Sequence, residues 1–327
     1  MVLFLHNRYR TTGGEERVVE DLLALVREQL GEHAELLQRD SVDLGRAGAG
    51  LGLLRGGVRP EEVAAAVRVG GARVLHAHNL QPSFGWRALA AARAAGARVV
   101  LHLHQYRLVC AVGVCFTQGA PCTRCHGRNT LPGVLRNCRG SRAEAGAYAA
   151  SLALWQRRML AQVDAVIVPS VFARERLREL GAPLPWERTH VLAPPLRLEN
   201  GDGRERTTGE YALVVSRLSP EKGVDVAVDA CRIAGIPLVV AGDGPELEAL
   251  RARAGTADVR FLGRVEEVEL AELRARAAIA LVPSRSAETF GIAAAEAMAM
   301  GLAVVGSDVG ALGELIDADA LVAPGDA

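Results

Sequence analysis

The chain has 327 residues, half of them hydrophobic, and its 38 basic and 38 acidic side chains balance to a formal net charge of zero. That balance excludes a nonspecific nucleic-acid binder, which needs a basic excess to engage phosphates. No apolar run approaches the ~20 residues of a membrane span, which leaves only peripheral membrane contact open. The length allows two domains with a core each, and the first apolar stretch is too short for a signal peptide, so the default is a soluble cytoplasmic protein.

Short apolar runs alternate with helical patterns from end to end. In the first half "VLFLH", "RVLHAH", "RVVLHLH" and "DAVIVPS" predict strands that end in polar residues, and "EERVVEDLLALVREQL" and "GWRALAAARAAG" predict helices between them. Gly13 and Gly14 follow the first strand, where a backbone without side chains can approach a phosphate or simply turn. His76 and His78 close the second of these strands. His102 and His104 repeat the pattern on the third and share one face of it.

Five of the six cysteines lie between Cys110 and Cys138, and Cys231 stands alone. In a chain of this size such clustering points to metal rather than to a disulfide framework. Cys122 and Cys125 form a CxxC knuckle with Cys110 before it and Cys138 after it, a spacing that suits a tetrahedral structural zinc, with His126 as a competing ligand. The other reading is a set of reduced thiols packing a loop.

The stretch "RLENGDGRERTTGE", residues 197–210, is polar and Gly-rich and marks a linker. It separates a first domain, 1–196 with a cysteine-rich insertion at about 107–140, from a second at 211–327. Beyond it "YALVVS", "PLVVAG", "VRFLG", "AIALVPS" and "AVVGS" predict strands that alternate with helices. The whole reads as α/β, two doubly wound parallel-sheet domains, and such sheets bind ligands at the carboxyl ends of their strands.

Three turns of the second half carry chemistry. In "LVVSRLSPEKG" a strand delivers Arg217, and Lys222 follows before a helix expected near Gly223; two cations beside helix amides suit a diphosphate. In "VVAGDGPELEAL" Gly242 and Gly244 let backbone approach a ligand, but the third glycine of a dinucleotide fingerprint is absent. In "SAETFGIAAAEAMAMG" a helix is expected from Thr289 or Phe290, so that the amides of Phe290, Gly291 and Ile292 are open to an anion or a sugar hydroxyl. Glu288 stands at the mouth of that helix and Glu296 in its second turn. Each can accept from the hydroxyls of a polyhydroxy ring.

With these residues in place, "SRLSPEKG", "VAGDGPELEAL", "VRFLGRV" and "ETFGIAAAEAMAMG" in this order resemble family-four glycosyltransferases of the GT-B fold. "HNRYRTTGGEERVV", "HAHN", "HLHQYRLVC" and "CRGSR" resemble one branch of it, and the likeness covers nearly the whole chain. The resemblance implies two Rossmann-like domains facing each other across a cleft. It also implies transfer of a sugar, with retention, from a nucleoside diphosphate sugar (UDP favoured, GDP the other option) to a hydroxyl of a saccharide or natural product. By it Arg217 and Lys222 hold the diphosphate in place of a catalytic metal, Glu288 the donor sugar and Glu296 the ribose. Gly13, Gly14, Gly242, Gly244, Arg264 and Val265 would lie along the nucleotide, and His104 beside the transferred sugar. The branch also carries the four cysteines Cys110, Cys122, Cys125 and Cys138, with Cys115 additional. Departures are Gln105 where Asp or Asn is expected, Ala311 where a second glycine is usual, and an end at "LVAPGDA" short of the family's last helices, so that the second domain is expected to be truncated or to lack them. The competing functions are a nucleotide-sugar epimerase on the same fold and a non-catalytic nucleotide-sugar-binding protein.

Overall fold

The computed structural model describes residues 1–8, 13–196 and 209–327. Most of the expected linker, residues 197–208, lies outside them. The chain divides into two compact units, Met1–Cys115 with Cys122–Pro195 and Leu196–Ala327 with Phe116–Pro121.

The first unit runs β1 (Val2–Arg8), α1 (Gly14–Glu28), β2 (Ala34–Asp40), α2 (Gly45–Arg55), α3 (Pro60–Gly70), β3 (Val74–Ala77), α4 (Gly85–Ala94) and β4 (Arg98–His102). It continues, after a short hairpin that counts with the second unit, β5 (Phe116–Thr117) and β6 (Ala120–Pro121), through α5 (Leu131–Leu135), α6 (Arg142–Leu160), β7 (Ala165–Val168), α7 (Val171–Glu179) and β8 (Thr189–Val191). The sheet order is β2-β1-β3-β4-β7-β8, every pair parallel. Strand alternation sorts the side chains. Leu3 and Leu5 of β1 join Leu75, Ala77, Val99 and Leu101 in one buried core. Phe4 and His6 point to the other face, where Phe4 packs on His76 and His78. Helices α6 and α7 start on serine caps: Ser141 Oγ accepts from the Glu144 amide at 3.3 Å and Ser170 Oγ from the Ala173 amide at 2.9 Å, each satisfying one amide that the helix itself leaves unpaired.

The second unit runs β9 (Tyr211–Val215), α8 (Val224–Ala234), β10 (Leu238–Ala241), α9 (Leu247–Ala254), β11 (Val259–Gly263), α10 (Glu267–Arg276), β12 (Ala277–Val282), α11 (Ile292–Ala299), β13 (Ala303–Ser307) and β14 (Leu321–Val322). Its order is β11-β10-β9-β12-β13-β14, again all parallel. Chain connection reverses direction between β9 and β12, and crevices at such a reversal are where open parallel sheets take ligands. Both sheet faces are covered. Tyr211 and Leu213 pack with Ala294, Ala297 and Leu312 on one side, and Ala212 and Val214 pack with Val224, Val228 and Leu250 on the other. The two-domain α/β reading and its strands therefore hold. β2, "AELLQRD", was not foreseen. Among the described residues no helix is long and apolar enough to cross a membrane.

Candidate functional site

In the second unit the loops that follow β9 and β12 are stitched together. The carbonyl of Glu221 accepts from the amides of Arg285 at 2.9 Å and Ser286 at 3.2 Å. Arg285 grips Asp225, the second residue of α8, through two bonds of 2.6 and 2.8 Å. Across this seam Lys222 Nζ donates to Glu288 Oε1 at 2.6 Å, and Ser284 Oγ donates to the same oxygen at 2.5 Å. Arg217 is tied to the Glu221 carboxylate, and its Nε donates to Ser219 Oγ at 3.2 Å. The structure thus brings Arg217, Lys222 and Glu288 to neighbouring loops at one end of the sheet. Sequence reasoning missed the members that hold them there, namely Ser284, Glu221 and the Arg285–Asp225 pair. The four-residue spacing of Arg217 and Glu221 was the one available signal.

Burial pushes the Glu288 carboxyl up, but the Lys222 ammonium and the Ser284 hydroxyl outweigh it and hold it below its ordinary value of 4.5. A carboxyl depressed in the native state contributes stability that is complete above the unfolded value and is lost as pH falls through the native one. Glu288→Gln is therefore expected to flatten the loss of melting temperature on acidification below about pH 4.5 relative to the parent protein. Parallel thermal melts over that range check this, and coincident curves would refute it.

The helix after Glu288 starts later than expected. α11 begins at Ile292, with Gly291 as its cap in the left-handed region at φ 101°, a conformation that costs a side-chain-bearing residue about 1–2 kcal/mol. Phe290 and Gly291 therefore lie ahead of the first turn, and of the three expected amides only that of Ile292 belongs to it. Glu296 does fall in the second turn, but it is 4% exposed and bonds Arg274 of α10, itself 1% exposed. Arg274 also reaches Glu267 Oε1 at 3.3 Å. Ala311 is fully buried and its amide donates to the Glu288 carbonyl at 2.9 Å, so the residue that departs from the expected glycine anchors the Glu288 loop.

Gly242 and Gly244 admit a close approach within the unit itself. A Cβ at Gly242 would stand 1.8 Å from the Ser216 carbonyl oxygen, and one at Gly244 would stand 2.2 Å from that of Leu218. Their lack of side chains admits the chain segment that carries Arg217. Arg264 and Val265 follow β11, whose Gly263 carbonyl accepts from the Gly242 amide at 2.7 Å.

In the first unit, imidazoles line one face of β1, β3 and β4 at their carboxyl ends. His78 Nδ1 lies 2.8 Å from His104 Nε2, and His102 Nδ1 lies 3.3 Å from His76 Nε2. His104 sits two residues past the end of β4. Burial first, then His6 and His76, push it down to about 3 against the opposing pull of Glu16, so at neutral pH it is a hydrogen-bonding ring rather than a cation. Glu15 and Glu16, the buried first acidic pair of α1, were not foreseen as site residues. They lie 3.9 and 3.8 Å from the two nitrogens of His6. Glu16 Oε2 also accepts from the Gly13 amide at 2.8 Å, so a carboxylate already occupies the amide expected to meet a phosphate.

Of the four cysteines expected to hold zinc, Cys110 and Cys122 lie near enough to Cys125 to help push its thiol up, after burial. Among the described residues no three cysteines bring their sulfurs within 4.8 Å of one another. Cys110 instead pairs with Cys115, the cysteine the sequence set aside. Both join the apolar core with Leu108 and Val109, while Cys122 and Cys138 stay half-buried. The hydrogen bond from Cys115 pulls the Cys110 thiol down to about 6 and holds Cys115 far above its ordinary range. α6 fixes this loop: Tyr148 donates to the Arg107 carbonyl at 2.6 Å and Gln156 to that of Leu108 at 2.8 Å.

Residues 11–195 match the family model described as "Glycosyl transferase 4-like domain", and residues 199–327 match "Glycosyl transferases group 1". A GDP-mannose-dependent alpha-(1-6)-phosphatidylinositol dimannoside mannosyltransferase of Mycobacterium tuberculosis is 35% identical over 180 residues, which are 50% of this chain and 45% of that protein. A glycogen synthase of the same species is 38% identical over 122 residues, 35% of this chain and 29% of the relative. The chain thus spans less than half the length of these relatives. Among solved structures, Anabaena HepE in complex with UDP superposes with a TM-score of 0.62 at 19% identity, covering 99% of this chain and 86% of that one. Sucrose-phosphate synthase from Thermosynechococcus elongatus gives 0.67 at 17% identity over the same shares. These two are likenesses of fold.

Proposed function

Because the chain belongs to the glycosyl transferase 4-like family, we propose that it moves a sugar from a nucleoside diphosphate sugar to a hydroxyl of a saccharide or natural-product acceptor, with retention at the anomeric carbon. The observation that carries the reading is the Lys222–Glu288 pair on adjoining loops where the strand order reverses. It sets a cation and a multiple acceptor within reach of one ligand. Lys222 has three donors, so it can keep Glu288 and still meet a phosphate oxygen. Arg217, with a half-exposed guanidinium, supplies a second contact. Together they are proposed to meet the charge that grows on the leaving diphosphate, the role a divalent metal plays elsewhere.

In this proposal the acceptor oxygen bonds to the anomeric carbon as the bond to the phosphate oxygen breaks on the same face. The leaving phosphate takes the acceptor's proton, so no side-chain base is assigned. Glu288 accepts from hydroxyls of the donor sugar, Glu296 from the ribose, and His104 serves as a neutral hydrogen-bond partner to the transferred sugar. A UDP-sugar is favoured as donor, in line with the UDP bound by HepE. A GDP-sugar is the second candidate, in line with the GDP-mannose dependence of the mycobacterial relative.

Calorimetry with UDP and GDP alone, beside transfer rates, tests the assignment. Glu296→Gln is expected to weaken binding of the free nucleoside diphosphate about tenfold. Glu288→Gln is expected to leave that binding nearly intact while impairing transfer. Equal loss of nucleotide binding in both variants would reject the division, and absence of binding to either nucleotide in the parent protein would reject the donor reading itself.

A further inference from the structure

We propose that His76, His78 and His102 form a binding site for one borderline divalent cation such as Zn2+, independent of the sugar-transfer residues of the second unit. The site follows from strand pairing. β3 and β4 run parallel with His76 opposite Val100 and Ala77 opposite Leu101. The two-residue period therefore puts His76, His78 and His102 on one face of two adjacent strands. One ring nitrogen from each lies within 4.8 Å of the others, and among the described residues this is the set of three or more histidine, cysteine or acidic side chains that does so.

Two of the rings have a nitrogen with nothing to bond. Nε2 of His78 and Nε2 of His102 are buried and make no hydrogen bond, and their residues are 3% and 2% exposed. A buried polar nitrogen left unpaired is costly, so two in one cluster call for a partner. The opposite nitrogens are engaged, His78 Nδ1 with His104 and His102 Nδ1 with His76. For His78 this is the arrangement that orients a metal-binding imidazole, because a hydrogen bond at one nitrogen fixes the lone pair on the other; the bond between His102 and His76 joins two of the proposed ligands.

Imidazole sets suit Zn2+ and its neighbours in the first transition row. With metal–nitrogen bonds of about 2.0–2.1 Å in tetrahedral geometry the donors stand about 3.4 Å apart. Closing from 4.8 Å or less needs side-chain rotation but no change of strand register. Charge is compensated nearby, since the buried carboxylates of Glu15 and Glu16 flank His6 on the same face. His76 is only partly buried and gives the ion a way in. A cation on His78 would share a ring with the hydrogen bond to His104 and so hold that residue in place.

The test uses the full chain stripped with a chelator and titrated with Co2+ as a spectroscopic probe. Saturation at one equivalent with visible ligand-field bands, and without a near-ultraviolet thiolate-to-cobalt band, is the expected result. His102→Asn and His76→Gln should each weaken binding at least about tenfold, whereas Cys122→Ser combined with Cys125→Ser should not change it. If one histidine variant fails to fold, the other and the parent spectrum decide. Lack of saturable cobalt absorption, a thiolate band, or unchanged affinity in the histidine variants would overturn the proposal. None of these readouts depends on sugar transfer.

Discussion

Lys222→Ala is expected to lower sugar transfer by about 100-fold or more and to lower thermal stability as well. The kinetic loss follows if the ammonium meets charge that grows only as the diphosphate departs, because an interaction stronger in the transition state than in the ground state acts on turnover. The stability loss has a separate origin. Lys222 and Ser284 are what keep the Glu288 carboxyl ionised against burial. Removing Lys222 leaves a largely desolvated carboxylate to protonate or to seek water, at a cost of about 1–3 kcal/mol. Adding Glu288→Gln to Lys222→Ala should return most of that stability without returning activity, and the two readouts then separate the roles of the pair. Near-normal initial rates in Lys222→Ala would remove the residue from the diphosphate. A melting curve identical to that of the parent would show that the pair adds nothing to the fold.

Arg274→Met should be the more damaging change to the fold, by about 3–5 kcal/mol. Its guanidinium is almost entirely enclosed and faces Glu296, a carboxylate nearly as buried. Such a pair balances the cost of taking two charges out of water, so losing one partner leaves the other uncompensated. Arg274→Met combined with Glu296→Leu removes both charges and should regain most of the stability, since apolar replacements of a buried pair are often neutral. Nucleotide binding should not return in the double variant if Glu296 serves the ribose. Denaturant titration of the three variants, with calorimetry on the double one, gives the answer. Unchanged stability in Arg274→Met would mean that Glu296 is adequately solvated by other groups.

The strands were legible because parallel strands covered on both faces read as continuous apolar runs with polar stops, as in "YALVVS" and "PLVVAG". β2 escaped because an edge strand such as "AELLQRD" mixes polar residues into both faces. The loops bearing Arg217, Lys222 and Glu288 could be placed because each follows a clear strand, and sheet order then makes β9 and β12 neighbours. What sequence could not supply was pairing across elements. Arg274 looks like any charge on a polar helix until α10 and α11 are seen to bury it. Likewise Cys115 looks surplus until the core takes it in beside Cys110. The start of α11 was misplaced because nothing in "ETFGI" shows that Gly291 adopts a left-handed cap and not a first helical turn.

The sheet order also bears on when the second unit becomes able to bind. β9 is the first strand of the second sheet in the chain and pairs with β10, which pairs with β11, giving a local β9-β10-β11 half. Lys222 and Glu288 are 66 residues apart, so their meeting waits for β12 to close a long loop onto the free edge of β9. Contacts of that separation cost chain entropy before they return any energy, and they form late. A half-sheet intermediate would carry Lys222 on its completed loop with no Glu288 beside it. Under the proposed function, a nucleotide that needs both loops would draw only on molecules in which the last strands have docked, and would pull the folding equilibrium toward them by mass action.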